Sequence, residues 1–161
     1  MMYKHAVLLI CAVLSAGNCA DIQPRQQSDG FVGFYVSLNE SKTFTPGQTV
    51  KYNNVFTNAG NHYDPTTGVF TAPRTAYYLF HIHALTNGVK GFWFQLIHNE
   101  IPRASCGGDS PTSWLTGGNS ALLKVKACER VYVKAAFSLP SHVFGDGTQH
   151  YTTFTGVMAG Q

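Results

Sequence analysis

The chain has 161 residues, of which 44% are hydrophobic and 13% aromatic, and its 11 Lys and Arg against 8 Asp and Glu give a formal net charge of +3. This length suits one compact domain with a core and is short for two. The small charge, with no basic cluster longer than the pair Lys124 and Lys126, argues against a nucleic-acid-binding surface.

The first twenty residues have the order of a secretory signal peptide. One cation, Lys4, precedes an apolar run from Ala6 to Leu14, and small residues follow at 15–17. That run has about nine residues, against about twenty for a membrane-spanning helix, so no membrane span is expected. We expect residues 1–20 to be removed, with cleavage after Ala20 favoured over cleavage after Gly17, and the protein to be secreted to the extracellular space.

Two cysteines, Cys106 and Cys128, remain after that cleavage, because Cys11 and Cys19 lie within the first twenty residues. Disulfides persist outside the cell, and paired cysteines without metal-ligand neighbours are usually oxidised there. A single bridge between Cys106 and Cys128 is the simplest hypothesis. Two buried free thiols are the alternative.

Residues 21–30, with the sequence DIQPRQQSDG, carry almost no apolar side chain and predict a mobile arm before a domain at 31–161. Short runs rich in β-branched and aromatic residues then predict strands. Turn residues separate nearly all of them, and no window of ten residues is typical of a helix. The pattern predicts an all-β, antiparallel β-sandwich. The predicted strands are 31–38, 69–71, 77–85, 91–97, 121–125, 131–137 and 151–158, and the predicted turns include 87–88, 106–109, 117–119 and 145–147.

Three of these segments together resemble the globular head domain of complement C1q. They are VFTNAGNHYDPTTGVFTAP at 55–73, AYYLFHIHAL at 76–85 and YTTFTGVM at 151–158. The resemblance implies a ten-stranded jelly-roll β-sandwich that forms a homotrimer through aromatic and apolar faces. Two departures stand out. Thr75-Ala76 replaces a Pro-Gly pair, and Cys128-Glu129 replaces a Gly-Asp turn, so a different turn is expected where a glycine would supply positive φ.

No motif in the chain predicts catalysis. A Gly-X-Ser-X-Gly elbow, a His-Glu-X-X-His helix, a Gly-rich phosphate loop and closely paired carboxylates are all missing from the sequence. We therefore expect a binding protein and not an enzyme, with no required cofactor.

Two features raise the question of metal binding. His81 and His83 fall on one face of a predicted strand, because strand side chains repeat every two residues. A packed or interfacial histidine pair is favoured there over a zinc site. Asp109 and Asp146 lie in Gly-containing loops that suit Ca²⁺, and the resemblance adds that related domains sometimes bind calcium. Ordinary turn chemistry is the alternative for both carboxylates.

Ligand contacts are expected from loops held on the rigid sandwich. The candidate ligand-binding residues are Tyr63, Arg103, Trp114, His142 and His150. Trp114 lies in SPTSWLTGGN, where an exposed indole would form a binding surface, and an indole folded back as a loop anchor is the alternative. Asn39-Glu40-Ser41 is the only N-glycosylation sequon of the chain.

The leading interpretation is a secreted, lectin-like recognition module that binds microbial or glycan surfaces in innate immunity. It rests on the resemblance to short C1q-like proteins without a collagen stalk, since the chain has no Gly-X-Y repeat. The alternative is a structural protein of the extracellular matrix or of a shell matrix that assembles through the same trimer. A cytokine-like ligand is a third possibility, ranked below both.

Overall fold

The computed structural model describes residues 30–87, 90–109, 112–136 and 139–160, and it contains twelve strands and no helix in these ranges. Among the described residues, accordingly, no helix is long and apolar enough to cross a membrane. The strands are β1 (Gly33–Ser37), β2 (Glu40–Phe44), β3 (Asn54–Ala59), β4 (Tyr63–Asp64), β5 (Val69–Thr71), β6 (Ala76–Thr86), β7 (Phe92–His98), β8 (Ile101–Gly108), β9 (Leu115–Val125), β10 (Arg130–Ala135), β11 (Ser141–Asp146) and β12 (Thr153–Gly160).

Ten of the strands form two five-stranded antiparallel sheets that pack face to face. The first sheet has the order β3-β1-β12-β6-β9 and the second has the order β4-β5-β10-β7-β8. The remaining strands, β2 and β11, pair with each other as a short ribbon. Long crossovers between sequence-distant strands, such as β1 beside β12, are typical of a jelly roll. The predicted all-β, ten-stranded jelly-roll sandwich is confirmed.

Strand β6, which lies between β12 and β9 in the first sheet, contributes one row of side chains to the core. Its residues alternate between buried and exposed along nearly its whole length, so Tyr78, Phe80 and Ile82 point into the sandwich. Phe80 packs against Phe70 of the opposite sheet with ring centroids 5.7 Å apart, and Phe34 packs against Phe154 at 4.8 Å. Each such ring contributes about 1.5–3 kcal/mol by leaving water. The core is therefore largely aromatic.

Two glycine clusters predicted as turns lie inside strands. Gly107 and Gly108 belong to β8, while Gly117 and Gly118 belong to β9. A Cβ on Gly117 would lie 2.9 Å from the carbonyl oxygen of Gly107. The glycines therefore allow two strands to approach closely at the edge of the sandwich. This is a common role of a glycine within a strand, besides its role in turns.

The predicted bridge between Cys106 and Cys128 is wrong, because Cys106 is buried with a free thiol. The topology gives the reason. Cys106 precedes Gly107, which lies against Gly117 near the start of β9, whereas Cys128 follows the far end of that strand. The nine residues from Gly117 to Val125 span about 26 Å as a strand, and a disulfide joins Cα atoms less than about 7 Å apart.

The sequence predicted that the turn at Cys128 would avoid positive φ, because a cysteine stands where a glycine is usual. The structure shows the opposite. Cys128 itself adopts φ 68°. Its backbone N–H donates to the carbonyl oxygen of Ala72 at 2.8 Å, and the N–H of Glu129 donates to Lys126 at 3.1 Å. Surrounding hydrogen bonds thus hold a non-glycine residue in a left-handed conformation that costs about 1–2 kcal/mol.

Candidate functional site

Three aromatic side chains form a continuous surface at one end of the sandwich, and we call this set the aromatic platform. Trp114, just before β9, meets Phe144 of β11 edge to face, with ring centroids 5.0 Å apart. Phe144 in turn contacts Tyr151 at 5.8 Å. Trp114 is nevertheless 59% exposed. The indole is therefore anchored by one edge and open on the rest, which combines the two alternatives weighed from the sequence.

Strand β11 places the platform beside a polar cleft. Its burial alternates, so that His142, Phe144 and Asp146 share the less buried face. His142 also lines a cleft of about 220 Å³ together with Lys42, Thr43 and other side chains. A row along one strand thus joins the aromatic rings to hydrogen-bonding groups.

The polar groups of this cleft are partly committed to one another. Nδ1 of His142 lies 2.7 Å from Oγ1 of Thr43, and Nζ of Lys42 pairs with Glu40 at 3.1 Å. Nε2 of His142 is buried and has no hydrogen-bond partner among the residues that the structure describes. Burial, with help from the nearby charge of Lys90, lowers the pKa of His142. The lowered pKa favours the neutral form of His142, whose Nδ1 is engaged by Thr43 and whose Nε2 is shielded from solvent.

The loop after β11 is organised by Asp146. Its Oδ1 accepts hydrogen bonds from the backbone N–H and the hydroxyl of Thr148, at 2.6 and 2.5 Å, and from the N–H of Gln149 at 3.2 Å. These bonds lower the pKa of Asp146. The loop leads to His150, whose ring packs edge to face on Phe56 at 4.5 Å. Asp146 therefore performs turn chemistry, and His150 lies near the platform through its neighbour Tyr151.

The carboxylates predicted to bind calcium belong to no cluster of ligating side chains among the described residues. Asp109 is exposed at the end of β8. Within the described ranges, no three His, Cys, Asp or Glu side chains come together as a metal site. Calcium binding by Asp109 and Asp146 stays a prediction, which titration of the protein with Ca²⁺ would test.

Tyr63 is not a ligand contact, and that prediction is wrong. Its ring is 2% exposed and stacks on Phe34 at 5.0 Å inside the core. Its hydroxyl donates to the carbonyl oxygen of Tyr52 at 3.1 Å and accepts from the N–H of Tyr52 at 3.2 Å. From sequence alone, a tyrosine before a turn can be a ligand contact or a core residue. Tyr63 is a core residue whose hydroxyl hydrogen-bonds to the backbone of Tyr52.

The remaining predicted residues lie elsewhere on the surface. Arg103 is exposed on β8, in a separate groove. Asn39 is exposed between β1 and β2, where its side-chain oxygen accepts a hydrogen bond from Asn53 at 2.8 Å. Sequence reasoning missed Phe144 and Tyr151. The signal available for Phe144 was its two-residue spacing from His142 and Asp146.

His81 and His83 lie on the outer face of the first sheet, as their spacing predicts. Nδ1 of His81 lies 2.8 Å from the hydroxyl of Ser120, and Nδ1 of His83 lies 2.7 Å from the carbonyl oxygen of Tyr151. The same sheet exposes a row of large apolar side chains on its outer face and edge, which we call the apolar face. Its members are Tyr35, Val55, Phe56, Tyr77, Leu79 and Leu122.

Comparison with known proteins places this fold and its sequence in a known group. Over 126 residues the chain is 25% identical to Complement C1q tumor necrosis factor-related protein 6 of Mus musculus, a match that covers 78% of this chain and 47% of that protein. The chain thus spans about half the length of this curated relative.

Solved structures show the same fold. The globular domain of zebrafish complement 1qA protein matches with a TM-score of 0.67 and 21% identity, covering 80% of this chain and 97% of that one. The Eiger TNF of S. frugiperda matches with a TM-score of 0.64 and 15% identity, over 80% of this chain and 91% of the other. A family model described as the C1q domain covers residues 33–159. With its two five-stranded sheets and this match over most of its length, the chain belongs to the C1q domain family.

Proposed function

We propose that this chain is a secreted recognition module that binds glycans of microbial surfaces in innate immunity through the aromatic platform. Proteins of the C1q and tumour-necrosis-factor-like families are non-enzymatic ligand-binding modules. The observation that carries the proposal is the exposure of Trp114, whose ring is fixed by Phe144 and still open to solvent over 59% of its surface. A large apolar group left in water on a fixed support is a common mark of a binding site.

The geometry of the platform suits a sugar. The C–H-rich face of a pyranose packs on an aromatic ring, and its hydroxyls need donors and acceptors beside that ring. The adjoining cleft supplies such groups from the side chains that line it, which include Lys42, Thr43 and Asn87. The platform itself is pre-organised, because Phe144 contacts both Trp114 and Tyr151. Little side-chain freedom is lost on binding, which preserves affinity.

Trimer formation belongs to the same proposal. Domains of this family form trimers, and the apolar face offers the surface through which this chain would do so. On that face Tyr35 stacks on Phe56 at 5.0 Å, and Leu79 lies opposite Leu122 in the β6–β9 register. Large apolar side chains left exposed on one face of a sheet mark an interaction site. Three copies of one weak sugar site would bind a repetitive surface tightly by raising the effective concentration.

A glycan array and a bacterial pull-down with the purified protein test the proposal. We expect saturable binding that free sugar competes, and loss of at least tenfold in affinity for Trp114→Ala. Phe31→Ala is the matched control, because Phe31 is also an exposed aromatic and lies before β1, at the end opposite to Tyr151. Binding that survives Trp114→Ala would contradict the role of the platform.

The structural alternative predicts a different result in the same experiment. A matrix protein that uses the trimer only for assembly would show no sugar-competed binding, and it would be extracted from insoluble extracellular material. Those two outcomes together would show that the function is assembly of a matrix and not recognition of a ligand. Trimers alone would not separate the two, because both functions use the apolar face.

A further inference from the structure

We propose a second binding site, a basic groove that takes sulfate or carboxylate groups of an acidic polysaccharide. The groove has a volume of about 470 Å³ and lies where the start of β8 faces the end of β9. Its walls carry Arg103 and Ile101 from β8, and Lys124 and Lys126 from β9 and the turn that follows it. The aromatic platform is elsewhere, since Trp114 precedes the opposite end of β9.

Among the described residues, Glu129 is the only carboxylate that lines the groove, and it is already engaged. Oε2 of Glu129 lies 2.8 Å from Nε2 of His98, and the backbone N–H of Lys126 donates to the same oxygen at 2.8 Å. The Glu129 carboxylate is thus held at the wall, where it closes the turn. Its ion pair is with His98, and among the described residues it pairs with neither Arg103 nor the two lysines of the groove.

The three cations of the groove have no ionic partner within the described residues. The ion pairs found there join Lys42 to Glu40 and His98 to Glu129. Nζ of Lys124 lies 5.8 Å from the ring centroid of Tyr77, where a cation is favoured but keeps its charge. Glu100, close in sequence to Arg103, accepts a hydrogen bond from the hydroxyl of Tyr132 at 2.8 Å and is turned to that partner. The groove is therefore a local concentration of positive charge.

The chemistry of the walls favours an acidic polysaccharide over a small anion. Arg103 offers a planar fork that binds sulfate or carboxylate through two hydrogen bonds, while lysines act as point charges that tolerate irregular spacing. Ile101 is 51% exposed beside them and provides an apolar patch for the body of a sugar ring. Charges spread along an open groove fit a ligand whose charges repeat.

The experiment compares dextran sulfate with neutral dextran on the full-length secreted protein, by isothermal titration at 50 and 300 mM NaCl. The two polymers share a backbone, so any difference in their affinity for the protein is due to the sulfate groups. We expect binding of dextran sulfate only, weakened at least tenfold by the higher salt. We also expect a loss of at least tenfold in the triple variant Arg103→Gln, Lys124→Gln, Lys126→Gln.

Two matched variants keep the result specific. Lys51→Gln removes an exposed cation outside the groove and should change affinity less than twofold. Trp114→Ala should leave dextran sulfate binding intact, so that failure of this site and failure of the platform give different results. Equal losses in Lys51→Gln and in the single variant Lys126→Gln would overturn the proposal, because binding would then follow net charge alone.

Three further outcomes would also overturn it. The first is an absence of dextran sulfate binding by the unaltered protein. The second is equal competition by single-stranded DNA at matched charge, which would make the ligand any polyanion. The third is a change of oligomeric state in the triple variant, as seen by light scattering, with dextran sulfate binding unchanged. That result would make the groove a contact between copies of the chain.

Discussion

Nε2 of His98 and Oε2 of Glu129 lie 2.8 Å apart at the turn after β9, and that carboxylate also closes the turn through the N–H of Lys126. Burial alone would raise the pKa of Glu129, but the hydrogen bonds from Lys126, His98 and Asn99 outweigh it and lower the pKa. A depressed folded-state pKa means that the ionised carboxylate stabilises the fold above the unfolded pKa. That stabilisation is lost as the pH falls through the folded-state value.

Glu129→Gln should therefore destabilise the protein at neutral pH and not in acid. We expect the free energy of unfolding to fall by about 1 kcal/mol at pH 7, the difference between hydrogen bonds to a charged group and to a neutral one. Urea denaturation at pH 7 and pH 3 measures it. The difference between variant and original should shrink at pH 3 compared with pH 7, because protonation of Glu129 in acid removes the charge that the variant lacks. A loss that is equal at both pH values would show that the charge of Glu129 is irrelevant.

Gly68→Ala tests the turn between β4 and β5. Gly68 has φ 79°, and a Cβ there would lie 2.5 Å from the carbonyl oxygen of Val50. The strained φ and the backbone clash together should cost about 2 kcal/mol or more. Gly160→Ala is the control, because nothing lies within 4 Å of its Cβ position. Thermal unfolding of both variants is the measurement, and equal melting temperatures would contradict the prediction.

Cys106 should be unreactive in the native protein. Burial raises the pKa of its thiol to about 12, so almost no thiolate exists at neutral pH, and the thiolate is the reactive form. We expect a thiol reagent to label Cys106 only after denaturant is added, with mass spectrometry locating the label. Cys106→Ser should cost about 1–3 kcal/mol, because it buries a hydroxyl in place of a weakly polar thiol. Fast labelling of Cys106 in native buffer would refute the buried position.

Leu79→Glu should dissociate the proposed trimer. Leu79 lies on the apolar face opposite Leu122, and a buried carboxylate in a subunit contact carries a large desolvation cost. Light scattering should show a monomer for Leu79→Glu and a trimer for Leu139→Glu. Leu139 is 68% exposed outside that face and serves as the control. Persistence of the trimer in Leu79→Glu would place the contact on another surface.

Asn39 should carry an N-linked glycan when the protein is made in a eukaryotic secretory host. The side chain is exposed between β1 and β2. An oligosaccharide attached there would extend into solvent without disturbing a strand pairing. Glycosidase treatment should reduce the mass of the original protein and leave Asn39→Gln unchanged. A mass equal to that of the bare chain before treatment would rule out the modification.

The class of fold could be predicted because strand periodicity is a local property. Residues such as Tyr78 and Phe80 alternate with exposed neighbours, and this spacing marks β6 whatever it packs against. β8 could not be predicted in the same way. Its Pro102 and its glycines are turn signals when taken alone, and only the proximity of Gly107 to Gly117 explains why they lie within strands.

The site was predictable one residue at a time and not as a set. Trp114 could be predicted because a large apolar indole is unusual in a polar, Gly-rich loop. His142 could be predicted because its side chain can form hydrogen bonds and can titrate. Their connection through Phe144 depends on the ribbon of β11 with β2, which joins segments about a hundred residues apart in the sequence, as Thr43 and His142 show. Tyr63 illustrates the converse, because its burial depends on Phe34 and Tyr52 from other strands.

The engaged state of Glu129 has a consequence for the kinetics of ligand capture. The chain carries a formal net charge of only +3, and at physiological ionic strength the field of a few cations fades within about 8 Å. The basic groove therefore does little to accelerate encounters with a distant acidic polymer. Its three cations act once the polymer touches the wall, where Glu129 no longer competes for them. Discrimination between acidic and neutral glycans should thus reside in the dissociation rate, with similar association rates for both.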